Sequence, residues 1–269
     1  MNKGIWIDLS PAALNHGLDI LAIAAHRDDV EQTCGGTLLK AARRGQRTGI
    51  LDLTQGELGT RGSADDRARE ADDAAKILGV VRRCALDIPD GRVENSWENR
   101  LKVASVIRET RPRVVILPYW KGRHPDHYTC SVLGYEACFL AGLAKIALSS
   151  PSSANSQTSD LGLQTSDLKP HRPFKIIYAT LYYDVRPTFV VDISDEFDGK
   201  FASIMAYKSQ FSDQEAGKEL FPAHDEIRTR VDAMARYYGM LGGVTYAEPF
   251  LQKEVGLVDD LLAIPVKSI

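Results

Sequence analysis

Four short runs rich in apolar residues, each followed by a stretch suited to a helix, constrain the fold of this chain most. They cover residues 18–25, 48–54, 84–88 and 114–118. A continuous apolar run of this length is typical of a strand buried on both faces of a sheet. Strands that alternate with helices predict an α/β fold with a mostly parallel sheet, right-handed crossovers and helices on both faces.

Capping residues predict where the helices begin and end. We expect the second helix to be capped by Asp65 or Asp66 and to end at Gly79, because aspartate is common at helix N-caps and glycine just beyond the C-terminus. The helix after the fourth strand is expected over residues 127–148. Further strands at 175–183 and 188–193 and helices at 194–207 and 225–238 follow, and the tail beyond them has no assigned element.

The composition predicts one domain over residues 1–269 with a disordered surface insertion at 149–170. A chain of 269 residues that is 44% hydrophobic can bury one large core without a second domain. The segment 149–170 is rich in Ser, Thr, Gln, Asn and Asp and contains the string QTSDL twice. Such a composition buries too little apolar surface to order itself.

Charge, hydropathy and cysteine content argue against nucleic-acid and membrane partners and indicate the compartment. The formal net charge is −3 and no Lys/Arg cluster stands out, so we expect no nucleic-acid or anionic-membrane partner. The apolar stretch 18–25 is too short to span a bilayer, contains Asp19 and lacks a basic leader, which argues against an anchor or a signal peptide. The four cysteines form no Cys-x-x-Cys pair and are expected to be reduced in a cytoplasm.

Two polar clusters follow two of the predicted strands. Residues 26–31 (HRDDVE) come after the first strand, and residues 124–127 (HPDH) come after the fourth. Because the carboxyl ends of parallel strands meet at one edge of a sheet, we expect the clusters to converge there. Together they offer the imidazoles and carboxylates of a hydrolytic zinc site that has three protein ligands and one open position.

Each cluster by itself also has a plainer interpretation. A lone His-x-Asp-Asp favours a polar turn in which Asp28 or Asp29 caps a helix. Two clusters at one sheet edge favour chemistry instead, because one carboxylate can bind a metal while its neighbour acts as a base on the metal-bound water. His124, on a turn stiffened by Pro125, can stay off the metal, donate to an oxyanion and protonate a leaving amine, with Asp126 orienting its ring.

These motifs resemble those of the PIG-L / LmbE-like metal-dependent deacetylases. Besides the two clusters, the similarity is carried by residues 35–37 (GGT), 54–57 (TQGE) and 67–70 (RARE), and it covers roughly residues 18–211. It implies a Rossmann-like α/β fold and hydrolysis of the acetamide of an N-acetylglucosamine unit. Four further strings, at 49–54, 123–127, 189–194 and 206–211, are most similar to the subfamily that deacetylates N-acetylglucosaminyl malate in bacillithiol biosynthesis.

The resemblance implies a role for each residue of the motifs. Three residues would bind zinc, or another divalent metal such as ferrous iron: His26, Asp29 and His127. Asp28 would be the general base, and His124 would stabilise the oxyanion and act as the acid, with Asp126 behind it. Arg67 would contact a carboxylate or sugar hydroxyls of the small acetylated amino-sugar substrate. By analogy with the family, we also expect a homo-oligomer.

Two departures from the family pattern and two alternative functions remain open. Arg27 stands where the family commonly has proline, and residues 219–230 do not match the family's late loop, which carries a tyrosine. One alternative is a deacetylase or amidase for another N-acetylglucosamine-type substrate or a thiol conjugate. The other is a non-catalytic metal- or nucleotide-binding α/β protein, although the turn after the first strand lacks Gly-x-Gly-x-x-Gly.

Overall fold

One mixed sheet forms the centre of the structure, a computed structural model that describes residues 7–8, 17–149, 168–181, 184–212, 219 and 223–266. Its strands are β1 (Ile7–Asp8), β2 (Ile20–Ala24), β3 (Thr48–Asp52), β4 (Arg82–Ala85), β5 (Val114–Pro118), β6 (Lys175–Ala179), β7 (Phe189–Asp192) and β8 (Ala247–Leu251). They lie in the order β1-β4-β3-β2-β5-β6-β8-β7. The five from β4 to β6 run parallel, and β8 pairs antiparallel with both β6 and β7. The predicted mostly parallel α/β fold is confirmed.

Helices cover both faces of this sheet. The described helices are α1 (Asp29–Arg43), α2 (Ala64–Ile77), α3 (Trp97–Thr110), α4 (Pro125–Ala141), α5 (Phe197–Met205), α6 (Lys208–Phe211) and α7 (His224–Gly242). The side chains of β2 point alternately into two hydrophobic cores, one on each face of the sheet. Leu21 and Ile23 pack with α3 and α4, and Ala22 and Ala24 pack with α1 and α2. Within the described part of the chain, no helix combines the length and the apolar character needed to cross a membrane.

Several predicted helix boundaries differ from those in the structure: α5 covers 197–205 instead of 194–207, and α7 extends to Gly242 instead of 238. Ser63, and neither Asp65 nor Asp66, is the N-cap of α2, because its hydroxyl accepts the Asp66 N–H at 3.1 Å while the Asp66 carboxylate accepts the Ser63 N–H at 3.0 Å. Helix α4 ends at Ala141, seven residues before the predicted end. The buried guanidinium of Arg108 binds the carbonyl oxygens of Ala141, Leu143 and Ile146, which a longer helix would use itself.

The C-terminal part contains a strand that the sequence pattern did not predict. Strand β8 has the sequence AEPFL, in which a proline and a buried glutamate obscure the usual pattern of a strand. It is identified only by its pairing with β6 and β7. The predicted disordered insertion at 149–170 falls mainly on residues 150–167, which lie outside the described residues.

A buried ion cluster holds the start of α1 against the sheet. The Arg83 guanidinium donates to both carboxylate oxygens of Asp52, at 2.9 and 3.0 Å, and to Glu31 Oε1 at 2.6 Å. The Tyr207 hydroxyl donates to the same glutamate oxygen at 3.2 Å. Because removal of one member would leave a buried charge without a partner, the cluster strongly favours one position for the first turn of α1.

Candidate active site and metal centre

The two polar clusters meet at the carboxyl edge of the sheet, where β2 and β5 are neighbours. His26 Nδ1 lies 3.2 Å from His127 Nε2 and 3.4 Å from Asp29 Oδ2. Asp29 Oδ1 lies 3.2 Å from His127 Nε2. Three side chains that are up to 101 positions apart in the chain therefore point their donor atoms at one small volume.

The spacing of these donors fits a divalent metal ion. Ligands ~2.0–2.1 Å from a tetrahedral zinc ion lie about 3.3–3.4 Å from one another. The separation of 3.2 Å between the two imidazole nitrogens agrees with that geometry, and Asp29 presents one carboxylate oxygen to each imidazole, Oδ2 at 3.4 Å from His26 and Oδ1 at 3.2 Å from His127. Three ring nitrogens, one each from His26, His127 and His124, also lie within 4.8 Å of one another, so His124 lies beside this group.

His26 is oriented by carboxylates on its other side. Its Nε2 lies 3.1 Å from Asp126 Oδ2 and 3.1 Å from Asp90 Oδ1. A proton on Nε2 satisfies these contacts and leaves the Nδ1 lone pair facing Asp29 and His127, which is the arrangement that metal-binding histidines adopt. Burial lowers the pKa of His26, but the hydrogen bonds with Asp126, Asp29 and Asp90 outweigh it and hold the pKa far above its usual value. The centre thus favours positive charge.

Asp126 contacts a different histidine from the one that the sequence predicts. Its carboxylate lies on His26 and accepts the N–H groups of Gly91 at 2.8 Å and Val93 at 3.2 Å. Only the backbone N–H of Asp126 reaches His124, whose Nδ1 accepts it at 3.2 Å. The expected orientation of the His124 ring by the Asp126 carboxylate is therefore wrong, since the buried carboxylate turns towards the loop after β4.

Asp90 is a site residue that the sequence analysis missed. It belongs to a Pro-Asp-Gly turn, which the pattern marks only as the end of a strand. The Leu58 N–H donates to Asp90 Oδ2 at 3.0 Å, and this bond aims Oδ1 at His26. The available signal was its position, because it is a carboxylate in the loop at the carboxyl edge of β4.

His124 presents a hydrogen-bond donor to the cleft. It is the N-cap of α4, and its Nδ1 accepts the Asp126 N–H, so the proton of the neutral ring is on Nε2. Burial and the neighbouring charges of His26 and His127 lower the pKa of His124. The ring is therefore neutral before a reaction begins, and it can donate to an oxyanion.

Asp28 and its neighbour Asp29 point in different directions because of an unusual backbone conformation. Asp28 is the N-cap residue of α1 with φ 102° and ψ −21°, but its side chain forms no capping bond. This left-handed conformation costs energy for a residue with a side chain and is typical of functional sites. The Asp28 carboxylate accepts hydrogen bonds from Arg67 Nη2 at 2.8 Å and Gln32 Nε2 at 3.2 Å. The simple helix-cap interpretation therefore does not explain this residue.

The environment of Asp28 suits a base that works near neutral pH. Burial raises the pKa of Asp28 to about 7, against the opposing charge of Arg67. Arg67 itself is 5% exposed, and its Nη2 also donates to the carbonyl oxygen of Arg27. At this nitrogen Arg67 forms an ion pair with Asp28, and its contact with a substrate stays a prediction. Arg27 extends away and donates to the Ala64 carbonyl oxygen at 2.8 Å.

A large cleft opens over this group of residues. It has a volume of about 630 Å³ and includes His26, Asp28, Asp29, Arg67, Asp90, His124 and His127 in its wall. The opposite wall comes from α5, α7 and β8 and includes Ile204, Ile227, Val231 and Tyr238. Tyr238 lies beyond the unmatched residues 219–230 and provides a tyrosine in this wall. The cleft is large enough for a sugar with a substituent.

Replacement of Asp126 by asparagine tests how His26 is held. We expect Asp126→Asn to weaken the binding of zinc about 10–100-fold, because an amide orients and charges the imidazole less strongly than a carboxylate. Competition with a chromophoric chelator measures the affinity. Asp87→Asn is the matched control, since Asp87 pairs with Lys102 at the surface. Equal zinc affinities for Asp126→Asn and the control would contradict this role of Asp126.

A family model and a curated relative both match this chain over much of its length. The model of the PIG-L family, described as GlcNAc-PI de-N-acetylase, matches residues 21–138. The diacetylchitobiose deacetylase of Thermococcus kodakarensis is 34% identical over 240 residues, which cover 85% of this chain and 80% of that protein.

Two solved structures share the fold over most of their length. The conserved protein TT1542 from Thermus thermophilus has a TM-score of 0.76 and 37% identity, with 90% of this chain and 98% of that chain covered. The N,N'-diacetylchitobiose deacetylase from Pyrococcus horikoshii, solved with its inhibitor MPG, has a TM-score of 0.70 and 25% identity, with 89% and 85% covered. With these relatives, the chain belongs to the PIG-L family of deacetylases, which are metal-dependent amide hydrolases.

Proposed function

We propose that this protein is a zinc-dependent N-deacetylase that hydrolyses the acetamide of an N-acetylglucosamine conjugate. The observation that carries the proposal is the group of donor atoms in the cleft wall: His26 Nδ1 and His127 Nε2 lie 3.2 Å apart, and Asp29 places Oδ2 3.4 Å from the first and Oδ1 3.2 Å from the second. Asp28 and His124 lie in the wall of the same cleft. A binding protein needs neither a base nor an oxyanion donor beside its metal, so these neighbours favour catalysis over a non-catalytic metal- or nucleotide-binding function.

The metal would be held by His26, Asp29 and His127. When bound, zinc supplies Lewis acidity that polarises the acetyl carbonyl and acidifies water. The same imidazole and carboxylate ligands also accept ferrous iron, which is therefore the alternative metal. To distinguish the two metals, a chelator first removes the bound metal, and the activity that zinc and ferrous iron each restore is then compared.

The protein side chains would divide the proton transfers between them. Asp28 accepts a proton from the attacking water, and Arg67 and Gln32 hold its carboxylate in place. His124 donates from Nε2 to the oxygen that becomes negative as the carbonyl carbon turns tetrahedral. Asp28 then returns the proton from water to the nitrogen as the C–N bond breaks, which gives acetate and a free amine. For His124 to be the acid, as the resemblance implies, its ring would first have to gain a second proton, because the neutral ring carries only the one at Nε2.

N-acetylglucosaminyl malate is the conjugate that we propose. The strings at 49–54, 123–127, 189–194 and 206–211 support this choice. Arg123 and Arg230 add positive charge to the cleft wall, although Arg230 also pairs with Glu226 at 2.6 Å. The relatives named as diacetylchitobiose deacetylases favour a neutral disaccharide as the competing substrate. The Asp28–Arg67 pair lessens the support for malate, because it engages the guanidinium that was expected to bind a carboxylate.

We also propose that a second copy of the chain covers the outer face of α4. Four large side chains on this face are 39–53% exposed: Tyr128, Val132, Tyr135 and Phe139. An apolar stripe of this kind is typical of a protein–protein contact.

The four cysteines, all buried and unpaired, support the further proposal of a cytoplasmic location.

Replacement of Asp28 tests its role as the base. We expect Asp28→Asn to keep its zinc but to lower kcat about 10²–10⁴-fold, because an amide cannot accept the proton. Metal content and acetate release are measured on the same preparation. The control is Asp73→Asn, since Asp73 pairs with Lys76 on the exposed face of α2. Wild-type turnover in Asp28→Asn would exclude the assignment.

Release of free amine from three substrates tests the activity and the choice of conjugate. N-acetylglucosaminyl malate, diacetylchitobiose and N-acetylglucosamine are each supplied to the enzyme, with and without chelation and zinc restoration. We expect zinc-dependent release with the highest kcat/KM for the malate glycoside. Preference for the disaccharide would keep the chemistry and reject malate. No release from any substrate by zinc-loaded protein would reject the deacetylase proposal.

A charged substitution on α4 tests the proposed contact between copies. We expect the wild-type protein to have a mass in solution of at least twice the 29.7 kDa of one chain. Val132→Asp should shift it towards 29.7 kDa, because a carboxylate buried at an apolar contact lacks a partner. Light scattering after size-exclusion chromatography measures both masses, and a monomeric wild type would overturn the proposal.

A further inference from the structure

A small recess opens from the floor of the cleft beside the candidate metal ligands. Recess and cleft share Asp29, Thr33, His127 and Leu181 in their walls. From there the recess continues between the carboxyl ends of β2, β5 and β6 and the first turns of α1. Its free volume is about 20 Å³, against about 630 Å³ for the cleft.

The far wall of the recess is apolar. It includes six residues of one buried core cluster: Ala22, Ala24, Val30, Cys34, Ile116 and Ala179. Thr33 adds little polarity, because its hydroxyl already donates to the Asp29 carbonyl oxygen at 2.8 Å. Lys121 also lines the recess but is exposed to solvent, so a group that packs against the six core residues loses water without gaining new polar partners, which favours a hydrocarbon group.

The space exists because of the backbone of α1 and of small residues on the strands. Cys34 breaks the helical geometry of α1, with φ −140° and ψ 18°. The Glu248 carboxylate fixes the break by accepting the N–H groups of Gly36 at 2.9 Å and Thr37 at 2.7 Å. Alanines at the ends of β2 and β6 leave the adjoining volume unfilled. Tertiary contacts thus build this side of the recess, while Tyr119, Lys121 and Leu181 line other parts of it.

The volume decides what can enter. About 10–15 Å³ of such space holds one water molecule, so the recess accepts a group of roughly the size of a methyl. A sugar ring is far too large and must occupy the cleft. The recess adjoins the cleft at Asp29 and His127, so an amide whose carbonyl carbon lies beside these residues, with its amine side in the cleft, can direct its acyl side into the recess.

We propose that this recess is the acyl pocket of the enzyme and that it restricts hydrolysis to acetamides. The inference rests on the proposed deacetylase function and adds the class of acyl group that the site accepts. The methyl of the acetyl group occupies the recess against Val30, Ile116 and Ala179. Each further methylene must push into the buried core cluster behind it.

The test compares one amino sugar that carries an acetyl, propionyl or butyryl group. We expect kcat/KM to fall about 10–200-fold from acetyl to propionyl and again from propionyl to butyryl, the usual range for one methylene that a pocket does not fit. Ile116→Val removes one carbon from the wall, which is the size of the extra group in propionyl. It should therefore lower the acetyl-to-propionyl ratio.

Ile50→Val is the matched control for this widening. Ile50 belongs to the same buried cluster but does not line the recess, so the same substitution should leave the ratio at its wild-type value. Thermal unfolding of both variants shows whether each retains its fold.

Equal kcat/KM for acetyl and propionyl in the wild type would overturn the acyl pocket while the deacetylase function stands. A ratio in Ile116→Val that equals the one in Ile50→Val would overturn it as well. If none of the three amides is hydrolysed, the proposed function fails, and the acyl pocket fails with it.

Discussion

The imidazole of His26 joins the two halves of the site. One nitrogen faces Asp29 and His127, and the other faces Asp126 and Asp90. These partners come from the carboxyl ends of different strands, so the contacts form only when β2, β4 and β5 lie in one parallel sheet. Because carboxylates surround the ring, the centre favours a positive charge. A divalent ion held by His26, Asp29 and His127 would supply that charge.

The site also depends on the backbone that points the carboxylates of the adjacent Asp28 and Asp29 in different directions. The left-handed backbone at Asp28 turns its carboxylate towards Arg67 and Gln32, while Asp29 turns towards the histidines. Without this turn, both carboxylates would compete for the same ion. The buried pairing of Glu31 with Arg83 fixes the first turn of α1 and so supports the strained residue before it. A metal ligand and a base can thus be sequence neighbours without sharing a role.

The second wall of the cleft depends on the late part of the chain. Glu248 of β8 binds the broken turn of α1 and also pairs with Lys200 of α5, and both lie in the cleft wall. Strand β8 therefore connects the far wall to the helix that carries Asp29. The same contact keeps the recess open, because it holds α1 in its broken form. Substrate space and candidate metal ligands are in this way parts of one framework.

The sequence by itself determined the strand–helix alternation, the mostly parallel sheet and the convergence of residues 26–31 with 124–127. Hydrophobic periodicity carries this information, since a strand buried on both faces must be apolar and its polar residues can follow only at its end. Strand β5 has the predicted bounds, 114–118, for the same reason. Strand β8 does not, because proline and a buried glutamate hide its pattern.

Only the tertiary structure decided which carboxylate meets which imidazole. Asp126 turns to His26, Arg67 turns to Asp28, and Asp90 joins from a loop that the pattern marks only as a turn. The recess likewise depends on a break in α1 that Glu248 stabilises from 212 residues away. A local pattern specifies where a side chain lies along its element. Its direction and its partner depend on residues distant in the chain, which only the folded structure brings within hydrogen-bonding distance.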